Sequence, residues 1–170
     1  MTMSVPASHL ARRGFLLVSA SALAAIAAGC STVGVLSPSA GTGRDETEAT
    51  LVMINRLRAN RGLPHLARDR AAARAATDQA SRMASAGRME HNIGLGANFL
   101  KRMKGMDVPL PAAENIAAGQ QTAEAAFDAW VRSPKHLENM LGSGYRGLGV
   151  AVFTNPASGN RPYWAMVLSS

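Results

Sequence analysis

Three polar side chains stand where the neighbouring residues give them no obvious reason to be: His91, Glu114 and His136. Glu114 lies in AAENIAA, among alanines and an isoleucine, where an ionised carboxylate is costly unless a donor meets it. His91 follows the end of a helical pattern, in MEHN. His136 stands three residues after Ser133, on a segment whose apolar face is Leu137, Met140 and Leu141. Both histidines fall at element ends, from which a side chain can reach across a sheet edge. The three are therefore expected to converge on one solvent-accessible site. A carboxylate beside imidazoles suits general acid–base work on water, and two histidines with one carboxylate are also a ligand set for a divalent metal such as zinc. Taken singly, each residue has a structural explanation: a capping or surface histidine, or a hydrogen-bonding acid. Asn115 and Trp130 read as packing residues. Other chemistry is missing. The chain has no GxSxG elbow, no HExxH, no P-loop and no GxGxxG after a strand.

The elements that must position these residues follow from spacing. Asp45, Glu46 and Glu48 supply an acidic first turn, and Leu51, Ile54, Leu57 and Arg58 continue at helical spacing until Gly62 and Pro64. A second helix is expected from about Asp69 to Gly87. Its buried stripe is Ala73, Ala76, Ala80 and Met83, and its solvated face is Arg74, Asp78 and Arg82. A short helix is expected over 95–106, with Phe99 and Met103 inward, and then a strand over 112–119. Thr122 caps a helix with Phe127 and Trp130 on one side, and Ser133-Pro134 starts another that runs to Gly142. Leu148, Val150 and Val152 alternate as in a half-buried strand, and after the NPASGNRP turn Tyr163 to Leu168 returns as the last strand. Helices followed by a hairpin make an α+β fold.

Composition narrows the function classes. The net charge is 18 − 11 = +7, and removal of Arg12 and Arg13 with the N-terminal segment leaves 16 − 11 = +5. The arginines are dispersed through helices without interleaved aromatics, so nucleic acid is not an expected partner. One cysteine rules out an intramolecular disulfide and a Cys-rich zinc site. That residue, Cys30, ends the run from Arg12-Arg13 through an apolar stretch of 15 residues to Ala27-Ala28-Gly29. The stretch fits a signal peptide and is short of the ~20 residues of a spanning helix. Its end resembles a bacterial lipobox, and Arg12-Arg13-Gly14-Phe15-Leu16 resembles the core of a twin-arginine signal. The expected organisation is an export signal at 1–29, a flexible tether at 30–44 and a domain at 45–170. Lipidated Cys30 would attach the chain to a bilayer, in the periplasm or at the outer membrane.

The domain resembles the CAP superfamily, shared by cysteine-rich secretory proteins, venom antigens and plant pathogenesis-related proteins, and in particular its bacterial, disulfide-free SCP-like branch. The segments that carry the resemblance are LVMINRLRANRGLPHLARD, MEHN, AAENIAAG, AFDAWVRSPKHLENML, GLGVAV and PYWAMVL, in family order. It implies an α-β-α sandwich, with a small, mostly antiparallel sheet between helices, and a surface cleft lined by histidines and glutamates. In it His91 matches the first cleft histidine, Glu114 the acid of the ENIA motif and His136 the histidine of SPxH. This sequence also departs from the family. Tyr163 stands where many eukaryotic members have a second histidine, Met166 where bacterial relatives often have glutamine, and Ser133 near the place of a second cleft glutamate.

Three functional readings from different classes follow. The first is a tethered envelope module that holds a lipid, glycan or peptide ligand in the cleft. The second is a hydrolase in which the His91–Glu114–His136 cluster, with or without zinc, activates water. The third is a structural envelope protein with a vestigial cleft.

Overall fold

The computed structural model describes residues 41–95 and 97–170. The expected export segment, Cys30 and all but the last four residues of the expected tether lie outside these.

Alanine content decides how the first layer packs. Helix α2 (Arg70–Ala86) starts where the Asp69 carboxylate accepts from the Ala71 and Ala72 amides, and closes at Gly87 with φ 64°. Ala73, Ala76, Ala80 and Met83 are buried as their spacing requires, and Ala72, Ala75, Gln79 and Ala84 widen the buried face. With side chains this small, the helix backbone lies almost on the sheet. A Cβ placed on Gly149 would come within 2.1 Å of the Ala73 nitrogen.

The sheet is built on β3 (Ala112–Ala118), β4 (Gly147–Thr154) and β5 (Tyr163–Ser169), of which α2 packs on β4 and β5. Strand β5 is antiparallel to both neighbours, with Met166 opposite Val150 on β4 and Asn115 on β3. Strand β1 (Thr42–Asp45) pairs antiparallel with β4, and the two-residue β2 (Ala67–Arg68) pairs parallel with the start of β4. The order β1-β4-β5-β3 leaves β3 on an edge.

Strand alternation sends side chains to two separate cores. Leu148, Val150, Val152, Trp164, Met166 and Leu168 meet Ile54 of α1 (Thr47–Ala59), Phe127 and Trp130 of α4 (Ala123–Arg132) and Met140 of α5 (Pro134–Met140). On the other face Ile116, Ala151, Ala165 and Val167 meet α2 and Met103 of α3 (Phe99–Gly105). The result is the expected α+β fold, an α-β-α sandwich. Arg58, on the buried side of α1, donates to the carbonyls of Pro64, Met140 and Gly142 at 2.8, 2.9 and 3.0 Å, which ties α1 to the end of α5. Among the described residues no helix is long and apolar enough to cross a membrane.

Several expectations need correction. The domain begins before residue 45, because Thr42–Asp45 is a strand. Its residues are exposed and carry no apolar alternation, so backbone pairing holds it, and Gly41 and Gly43 let it lie against the Phe153 ring. The helix expected over 95–106 starts only at Phe99, where the Asn98 side chain accepts from the Lys101 amide at 3.3 Å. Helix α5 ends at Met140 rather than Gly142, and Ser133 makes no side-chain capping bond. Strand β4 is buried on both faces through Val152, since helices cover both sides.

Candidate functional site

Glu114 and Asn115 are consecutive on β3, so they point to opposite faces of the sheet. Each collects a different helix end. On the α2–α3 side, Arg102 Nη2 donates to both Glu114 carboxylate oxygens at 2.9 Å. The two side chains are only 3% and 2% exposed. A buried carboxylate and a buried guanidinium are tolerable together and costly apart. His91 Nδ1 lies 2.9 Å from Glu114 Oε1. A carboxylate can only accept, so Nδ1 carries the hydrogen and Nε2 is left free on a ring that is half exposed.

The loop that carries His91 is fastened through its backbone. Gln79 Nε2 donates to the Glu90 carbonyl at 2.7 Å, and Arg102 Nη2 donates to the His91 carbonyl at 3.3 Å. Arg102 Nε reaches the Ala97 carbonyl at 3.4 Å, and its guanidinium sits 5.7 Å from the centre of the Phe99 ring. One arginine therefore neutralises the acid and also holds the histidine's loop.

On the opposite face Asn115 holds α5. Its Nδ2 donates to the His136 carbonyl at 3.0 Å, and its Oδ1 accepts from Asn139 Nδ2 at 2.8 Å. Met166 gives Asn115 only a distant thioether contact at 3.9 Å and is otherwise a core residue. His136 is half-buried, and its pKa lies below the usual imidazole value, first because of burial and then because His91 is nearby. The two histidines thus approach from the two sides of the sheet, over the free edge of β3.

A cleft of ≈ 310 Å³ crosses that edge. Met89, Ile116, Trp130, Ser133, His136 and Arg161 are among its lining residues. His136 lines it directly, whereas His91 and Glu114 form the polar cluster beside it. Tyr163 and Ser133, which stand where other members have a second histidine and a second glutamate, also line it.

The residues do not fit the divalent metal that His91, Glu114 and His136 offered as one alternative. Among the described residues no three His, Cys, Asp or Glu side chains come together to hold an ion. The physical reason is Arg102, which occupies both oxygens of the only carboxylate in the set and puts a fixed positive charge there. Sequence reasoning missed Arg102 because arginines on short helices usually face solvent. A signal was nevertheless available, since the arc of α3 that turns Phe99 and Met103 inward also contains position 102.

A three-layer sandwich with a polar cluster over the edge of its ENIA strand defines a class of domain. Residues 51–168 match the sequence model of the cysteine-rich secretory protein family, CAP, and the chain belongs to that family. Solved structures share the fold. An extracellular SCP-domain protein of Bacillus anthracis aligns at TM-score 0.63 and 24% identity over 73% of this chain and 40% of its own. An outer surface protein of Borrelia burgdorferi aligns at TM-score 0.65 and 20% identity, covering 76% of this chain and 98% of its own. The CAP domain of enterococcal PrgA aligns at TM-score 0.54 and 18% identity over 73% and 59% of the two chains. The alignment thus spans less than half of the Bacillus protein. No curated protein matches the chain significantly.

Proposed function

We infer that this protein is an extracytoplasmic binding module of the bacterial envelope, attached to a bilayer through Cys30, which holds a lipid, glycan or peptide ligand in the cleft over β3. The cleft carries the reading: an apolar part of its lining from Met89, Ile116 and Ala117, with His136 and Arg161 among its polar groups. Concave sites of this kind, mostly apolar with a few polar groups, are the usual form of a small-ligand site. The engagement of Glu114 by Arg102 supports binding over hydrolysis, because a carboxylate with both oxygens bonded to a guanidinium is a poor base. The export signal expected from the sequence and the extracellular or outer-surface descriptions of the Bacillus and Borrelia relatives support the location.

The test is solvent extraction of protein purified from membranes, followed by mass spectrometry of the extract. A co-purifying molecule at near-stoichiometric yield, reduced when Ala129 at the cleft wall is enlarged to Phe, is the expected result. An empty extract, together with no titratable ligand among lipids, wall fragments and peptides, favours a structural envelope protein. Turnover of cell-wall fragments or casein that disappears in His136→Ala would favour the hydrolase.

A further inference from the structure

We propose that the cleft selects an oxyanion carried on an apolar body, and that it selects against a divalent cation. The inference rests on the binding reading and narrows it to one ligand class.

Charge in the wall is one-sided. No aspartate or glutamate lines the cleft, and the neighbouring Glu114 is already neutralised by Arg102. Arg161 lines the cleft and donates from Nη2 to the Ala118 carbonyl at 3.3 Å, and no described carboxylate pairs with it. Its fork of donors at the mouth of the cleft matches the geometry of a carboxylate or a phosphate. Ser133, Tyr163 and His136 bring further polar groups to the same space.

Deeper in, the Trp130 indole N–H is buried without an acceptor, and so is Arg102 Nη1 in the adjoining cluster. Gln120 Oε1 is the unpaired buried acceptor of the wall. Gln79 Oε1, beside Arg102, is a second unpaired acceptor, so the unpaired groups balance, and it is the fixed charge of the wall, carried by Arg161, that is one-signed. The titratable groups around His136 agree with this. His91 faces it with like charge when protonated, Arg102 is bonded to the His91 carbonyl, Arg161 lines the same cleft, and Lys135 and Glu138 pair with each other in solvent at 3.2 Å. The remaining lining, Met89, Ile116, Ala117 and Ala129, is apolar and suits the body of an amphiphile rather than a free inorganic ion. The described residues carry 16 Lys and Arg against 11 Asp and Glu, so the whole domain attracts an anion on approach.

Two dyes that differ by one charge test this on the full chain. 8-Anilinonaphthalene-1-sulfonate carries a sulfonate, and N-phenyl-1-naphthylamine is the same aromatic body without it. The sulfonate should bind at least about tenfold tighter than the neutral dye, and Arg161→Gln should remove about that factor while leaving the neutral dye unchanged. Arg161→Lys should restore part of the loss. The apolar stretch before Cys30 is common to all variants, so only the dependence on Arg161 counts. Calorimetric titration with zinc should give no cleft-dependent heat.

Equal affinity for both dyes, unmoved by Arg161→Gln but abolished by Ala129→Phe, overturns the charge selection and leaves the binding reading intact. Binding of both dyes that Ala129→Phe does not touch, or no binding of either, overturns the binding reading as well. Zinc binding lost in His136→Ala overturns the proposal in favour of a cation site.

Discussion

At the scale of residues, Glu114 and Arg102 are worth more broken than whole, in the sense that either alone is a buried charge. Removing one member of such a pair costs ~3–5 kcal/mol, because the survivor stays desolvated. Arg102→Gln should therefore lower stability by about that amount, with Glu114→Gln comparable, measured as a shift in denaturant midpoint at constant slope. A loss under ~1 kcal/mol, the range of surface ion pairs, would mean that water reaches the pair. His136 gives a pH effect of known sign. Burial and then His91 hold its folded pKa below the unfolded value, so on acidification the unfolded chain takes the proton first. The stability contributed by neutral His136 is complete above the unfolded imidazole value, about 6.5, and is lost as pH falls through the lowered folded value. Melting temperatures between pH 7.5 and 5 should fall less steeply for His136→Gln than for the wild type, and equal slopes would refute the neutral histidine. Of this cluster, Glu114's need for a donor was legible in its apolar neighbours. The donor itself was not, since nothing local marks one arginine among many as buried.

At the scale of elements, period and caps were readable wherever a helix had a buried stripe and a polar face. Helix α2 came out within a residue of its expected ends, because Asp69 and Gly87 are chemical stops. Strand β1 was illegible for the converse reason: its residues bury nothing and depend wholly on the partner strand. The double burial of β4 was equally hidden, since alternation along one strand shows only that one face is apolar. The close seat of α2 on β4 yields a sharp prediction at Gly149. A methyl there would meet the Ala73 nitrogen and the Ala72 carbonyl carbon at 2.1 and 2.2 Å, and backbone atoms in a helix cannot swing aside as a side chain can. Gly149→Ala should cost at least the ~1–3 kcal/mol usual for overpacking, seen as a depressed melting temperature, although alanine is the smallest change available. An unchanged melting temperature would mean that α2 sits farther from the sheet.

At the scale of the whole molecule, the order of the strands puts the start of the described chain and the cleft on different strands. The described chain enters at Gly41 and β1, at one end of the sheet order, and the cleft crosses β3 at the other. Cys30 precedes Gly41 by 11 positions, a length that spans at most ~40 Å of extended chain. An anchor at Cys30 would therefore hold the domain within about that reach of a bilayer. Since no cleft residue lies near Cys30 in sequence, the proposed anchoring and the proposed ligand binding should be independent. If acyl chains on Cys30 hold the protein to lipid, as proposed, Cys30→Ser should move it from the membrane fraction to the soluble fraction or leave it unprocessed. The same variant should keep the wild-type affinity for the sulfonate dye, since no group at the cleft has changed. Fractionation with mass spectrometry of the mature N-terminus checks the first half, and a fluorescence titration checks the second. An unmodified Cys30 in membrane-bound protein would refute lipid anchoring, and a Cys30→Ser chain that lost dye affinity would refute that independence.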